Sequence, residues 1–224
     1  MAAPLPWPGI LVPSAEDWSL RGGTRSGGQS FEGNELLVAS PTARWKAALT
    51  IPAYGRDRIC ALRRVVALGR SQLWSVGPYE RPRAPWPIEP VVGGAVTDRT
   101  PGLAQPPLAF SLMLDAAANA AAIAIRRDRG GLLAPGMIFS IGGRLHVIVG
   151  LTTADPADPA SGLAIPGGVG VAIRPWLRTD LPAGTPIAFG APVGTMRFAS
   201  DDTGALDLQL SRYGTVTLDL VEAF

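Results

Sequence analysis

The chain of 224 residues contains one histidine, His146, and one cysteine, Cys60, so little chemistry can be built around either. A single histidine rules out multi-histidine zinc sites and leaves any Ser-His-Asp triad hanging on one residue. Leu145 and Val147 set His146 in an apolar strand, where a hydrogen-bonded or exposed structural histidine is expected rather than a catalytic base. There is no Gly-x-Ser-x-Gly elbow to hold a nucleophile. Cys60 cannot form an internal disulfide and is expected to be a small core or boundary residue of a helix. The adjacent acids Asp201 and Asp202 read as a hairpin turn, where aspartate satisfies the backbone, and no spacing argues for a glycosidase pair. Asp155 and Asp158 in TTADPADPASG bring too few oxygen ligands at a fixed spacing for calcium. The run Gly22-Gly23-Thr24-Arg25-Ser26-Gly27-Gly28 lacks the Gly-Lys-Ser/Thr ending of a phosphate loop and reads as a hairpin loop. No catalytic set, metal site or cofactor site is expected, which favours a structural or binding protein over an enzyme.

Composition agrees with a β-rich globular chain. The 27 glycines and 22 prolines, about a fifth of the residues, suit short strands joined by many turns. No apolar run reaches the ~18 residues of a membrane span, and MAAPLPWPGILVPS lacks the basic start and unbroken apolar run of a signal peptide. The formal charge is +2, and 19 of the 20 basic residues are arginine, Lys46 being the exception. They are scattered among 18 acids rather than gathered into a stripe interleaved with aromatics, so nucleic-acid recognition is not expected.

The elements follow from periodicity. Arg44 to Ile51 reads as a half-buried strand ended by Pro52. From residue 57 to 68 the period becomes helical, with Ile59, Leu62, Val65 and Val66 on one face and Arg56, Arg58, Arg63 and Arg64 on the other. Asp57 suits the helix N-terminus and Gly69 its C-terminus. A helix of about 12 residues cannot stand alone in water, so it must lie on a sheet. Further strands are read at 16–21, 30–39, 72–76 and 108–114, with a turn at 115–122 before Ile123. Met137–Ile141 and Arg144–Leu151 form a hairpin about Gly142-Gly143, and Val169–Ile173 follows. Leu206, Leu208 and Leu210, and then Val216, Leu218 and Leu220, alternate with polar residues, each strand having one dry face. The prolines of 1–13 and 78–90 make extended arms. The resulting fold is mainly β: a β-sandwich-like outer domain with one packed helix, made of residues 1–90 and 192–224, carrying an inserted small β-barrel at 91–191.

The segments ARWKAALTIP before the helix, LLAPGMIFSIGGRLHVIV, VAIRPWLRTDLPAGTPIAF, MRFASDD and TLDLVEAF, in that order, resemble the tail structural proteins of long-tailed bacteriophages. The likeness is to distal-tail-like or minor tail proteins with a small inserted β-domain, and it covers most of residues 40–224. It implies a ring, usually of six copies, that joins the tail tube to the hub and host-recognition parts at the virion tail tip, after synthesis in the host cytoplasm. Independently, Arg and aromatic residues are favoured at interface centres. This makes Trp7, Arg56, Arg63, Arg64, Tyr79, Trp86 and Trp176 candidate interface residues, with the proline-rich arms laid on neighbouring copies. The alternative is a carbohydrate- or receptor-binding β module using Trp7, Trp86 and Trp176 as sugar platforms.

Overall fold

The computed structural model describes residues 3–29, 33, 35–39, 42–79, 84–85, 108–153, 167–204, 207–209 and 213–223. The chain is mainly β and divides into two compact units, one of residues 1–76 with 194–224 and one of residues 77–193. The sequence reading set these joints at 90 and 192.

In chain order, the first unit opens with β1 (Leu5–Pro6), β2 (Ala15–Arg21), β3 (Thr24–Gln29), β4 (Glu35–Ala39) and β5 (Arg44–Tyr54), followed by α1 (Arg56–Leu68) and β6 (Trp74–Val76). The second unit holds β7 (Ala109–Leu112), β8 (Ala122–Arg129), β9 (Ile138–Ile141), β10 (Arg144–Leu151), β11 (Gly167–Arg174) and β12 (Pro186–Ile187). The chain then completes the first unit with β13 (Gly194–Phe198), β14 (Asp207–Gln209) and β15 (Tyr213–Glu222).

The first unit is organised by a mixed sheet in the order β1-β6-β13-β15-β5-β2, with β14 also on β15 and β3–β4 forming a separate ribbon. Both ends of the chain build its centre, because β15 pairs antiparallel with β5 from Tyr213↔Tyr54 to Val221↔Lys46. Alternation fixes two faces. Trp45, Ala47, Leu49, Ile51 and Ala53 share the dry face with Val216, Leu218 and Leu220, all buried. The helix lies on that face through Leu62 and Val65, which are 1% and 0% exposed. It starts after Gly55 at φ 71° and ends at Gly69 at φ 61°, left-handed conformations that glycine adopts without strain. Close packing continues at Gly204, where an added Cβ would sit 2.8 Å from both Val66 and Leu218 side chains.

Pro52 does not end the strand; β5 runs on to Tyr54. Ser14 N–H donates to the Thr50 carbonyl at 2.8 Å, so the polar groups of Thr50 and Pro52 face the β2 side. The β2 pairing stops at Ala15↔Thr50, and the missing donor of Pro52 therefore points where no strand asks for it. The same logic corrects the reading of the N-terminal arm. Its prolines do not prevent a ladder: Leu5 N–H donates to the Leu73 carbonyl at 2.9 Å and Trp7 N–H to Ser75 at 3.2 Å, with Pro6 facing away from β6. Beyond Trp7, Leu11 is fully buried. The arm is laid on its own unit.

The second unit is a nearly closed six-stranded barrel, order β12-β7-β8-β11-β10-β9. Its ends are bridged by reciprocal bonds of 2.9 Å between Ser140 and Ala188, which leaves little free edge. The hairpin turn at Gly142-Gly143 has φ 59° and 77°, as a two-residue primed turn requires. Phe110, Phe139 and Phe189 meet in the interior with centroids 4.8 and 5.2 Å apart. Residues 115–121 turn rather than coil into a helix: Asp115 and Asp180 carboxylates accept the Ala183 and Ala118 N–H groups at 2.7 Å. The strand expected to reach Leu114 stops at Leu112, and Leu114 is 61% exposed.

Leu11 supplies a direct check on the arm. Leu11→Ala should lower stability by about 2–5 kcal/mol, the usual cost of truncating a buried leucine, and removal of residues 1–13 should lower the urea midpoint further. A midpoint unchanged by either would contradict the arm as part of the fold.

Candidate interaction surface

The single histidine is committed to the barrel wall, while Asp155 and Asp158 lie outside the described residues. His146 is 1% exposed in the barrel wall, its ring 5.6 Å from and stacked on Phe139. Its Nδ1 lies 2.8 Å from the Pro175 carbonyl. A carbonyl only accepts, so Nδ1 carries the proton of a neutral ring. Burial pushes the imidazole from 6.5 down to about 4; the Pro175 bond opposes this and the Arg144 charge adds to it. Arg144 Nη1 in turn donates to the Trp176 carbonyl at 2.8 Å. Two neighbouring side chains of β10 thus hold two consecutive carbonyls after β11, a structural clamp. Asp201 and Asp202 sit exposed in a turn, as expected. Cys60 is not a core residue; it is exposed on the outer side of α1, because Leu62 and Val65 turn the opposite face inward. Among the described residues no group of three or more His, Cys, Asp or Glu could hold a metal. Nor is any described helix long and apolar enough to cross a membrane.

The candidate interface residues divide. Arg56, Arg63 and Arg64 share the exposed side of α1 with Cys60 and Ala67, at the i, i+4, i+7, i+8 and i+11 positions of one helical face. None of the three arginines has an ion-pair partner among the described residues. Trp7 is half-buried instead: its ring meets Trp74 edge-on at 5.7 Å, and its indole N–H donates to the Leu11 carbonyl at 3.0 Å. Trp176 is also half-buried, under the Arg174 guanidinium at 5.2 Å. Tyr79 is half-buried, and Trp86 lies outside the described residues. The tryptophans read as exposed platforms are mostly packing residues, since their apolar area is covered by their own chain.

The sheet's wet face carries what the sequence reading missed. Tyr54 and Tyr213 are cross-strand partners, 56% and 50% exposed, and the Arg58 guanidinium lies 4.2 Å from the Tyr54 ring centre. Thr50 and Thr217 hydroxyls bond across the same face at 3.2 Å. Toward the other end, Asp17 and Asp219 both oppose Ala48, one from each side, in a shallow groove of about 320 Å³ that also includes Lys46 and Ser200. Alternation assigns these residues to the polar phase of their strands, but only the β2-β5-β15 register places them side by side.

No protein-family model matches the chain, and no curated protein sequence matches it.

The clamp has a pH signature. Between pH 6.5 and about 4 the unfolded chain takes up the His146 proton while the folded chain refuses it, so stability falls with acid, by about 3 kcal/mol over that range. Urea unfolding of wild type and His146→Gln should diverge in acid sensitivity across this window, because carboxylate titrations are common to both. Parallel pH dependences would contradict the buried neutral histidine.

Proposed function

We propose that the chain is a structural component of a bacteriophage tail tip, forming a ring that connects the tail tube to the hub and host-recognition apparatus. The observation that carries the reading is the architecture: a helix-backed sheet built from both chain ends, interrupted by a barrel inserted between Val76 and Gly194. It agrees with the order of segments that gave the tail-protein resemblance. The ends of the insertion are adjacent on both sides of the joint. Gly194 pairs with Val76, and a Cβ on Gly77 would fall 1.7 Å from the Pro192 carbonyl oxygen. Such a joint carries a second unit without breaking the first sheet. The exposed arginines of α1 and the Tyr54–Tyr213 pair are residue types favoured in protein interfaces. Six copies, a virion location and a non-enzymatic role follow from the resemblance and are part of the proposal.

The carbohydrate- or receptor-binding reading rests on a different surface from the one the sequence suggested. Trp7 is occupied by Trp74, and the Tyr54–Tyr213 pair beside Arg58 is the exposed aromatic platform that favours it. Antibody-gold labelling of intact phage particles separates the two readings. The tail reading predicts label at the tube–hub junction, one collar per particle. Particles unlabelled at the tip, together with glycan-array binding that is lost in Tyr54→Ala, would favour the alternative.

A further inference from the structure

The strand registers sort the wet face of the first sheet into rows of unlike charge. One row across the strands runs Ser19–Lys46–Val221–Arg197. The next, two residues along, runs Asp17–Ala48–Asp219. Two cations therefore sit one row, about 7 Å, from two carboxylates. A two-fold axis in the plane of the face, laid across the strands between these rows, would bring each row onto its opposite. We infer that two copies dock wet face to wet face about such an axis, the Lys46 of each seated between Asp17 and Asp219 of the other. The contact is isologous, so it pairs two copies, or two rings, and does not rest on the ring reading.

The charge pattern selects the occupant. Lys46, Asp17 and Asp219 are exposed and Arg197 is half-buried, and none of the four forms an ion pair among the described residues. A polyanion laid on this face would meet the carboxylate row, and a polycation the Lys46–Arg197 row. A second copy turned about the two-fold meets neither repulsion, because two cations face two carboxylates on each side of the axis. Shape agrees. Ala48 is the small residue between the aspartates in the groove of about 320 Å³, so a lysine entering from the opposite sheet finds room between the carboxylates. Stacked sheets lie about 10 Å apart, a gap that facing side chains fill from both sides. One row further out, Arg21 and Arg44 of one copy lie over Thr50 and Thr217 of the other, hydroxyls that can accept from a guanidinium. Exposed pairs are individually weak and screened by ions, so this contact loosens as salt rises.

Lys46 is the only lysine of the chain, which makes a zero-length cross-link specific. An equimolar mixture of isotope-labelled and unlabelled full chain is treated with a carbodiimide. Heavy–light peptides joining Lys46 to Asp17 or Asp219 are expected, whereas a bond within one copy joins only heavy to heavy or light to light. In sedimentation velocity, Lys46→Glu alone, and Asp17→Lys with Asp219→Lys, should each associate through this face at least about tenfold more weakly than wild type, since like charges then meet. Circular dichroism checks that both variants keep the fold. An equimolar mixture of the two should regain association, because Glu at 46 then enters a lysine-lined groove while Lys46 enters an aspartate-lined one. If wild type associates but both variants associate equally well, or the cross-links stay within one copy, this contact is wrong while the ring reading stands. A wild type monomeric at every concentration overturns both, and glycan-array binding lost in Asp17→Lys with Asp219→Lys would then assign the face to a sugar.

Discussion

The nine-residue register between β5 and β15 is the constraint on which the rest depends. It joins segments from the two ends of the chain and places Leu49 against Leu218 and Ile51 against Val216, all buried. Closing so long a loop is less costly than it looks, because loop entropy grows only logarithmically, about 0.6 kcal/mol for each doubling of length. A ladder with one face packed under α1 offsets that cost and cannot slip by one residue without turning its leucines into water. The same ladder seals a carboxylate: Glu222 is 2% exposed and accepts the Trp45 N–H at 3.1 Å.

What the sequence made legible was whatever depends on period and turn chemistry. The helix was visible in Leu62 and Val65, the primed turn in Gly142-Gly143, and the terminal strand in Val216, Leu218 and Leu220. What it concealed depends on where a strand sits in its sheet. Pro52 ends a strand only if its missing donor faces a partner, and here it faces the open side beyond β2. Pro6 is tolerated for the related reason that it points away from β6. Leu114 obeys strict alternation yet is exposed, because Asp115 and Asp180 capture the backbone into a turn.

The candidate surface was half legible. Arg56, Arg63 and Arg64 stand out by helical spacing alone. Trp7 and Trp176 are half-buried rather than exposed; a tryptophan in a proline-rich segment carries no sign of whether its own chain covers it. The Asp17–Asp219 row and the tyrosine pair were invisible, because their members are neighbours only through strand registers. Sequence distance hid them, not an absence of signal.

The proposed function is one of assembly. His146 is spent as a neutral clamp, and Asp115 and Asp180 accept backbone N–H groups of the barrel unit. Assembly is therefore the central claim, and native mass spectrometry of the full chain tests it most directly. The account predicts one closed oligomer of fixed subunit number. A monomer at all concentrations, or an open-ended ladder of sizes, would contradict it.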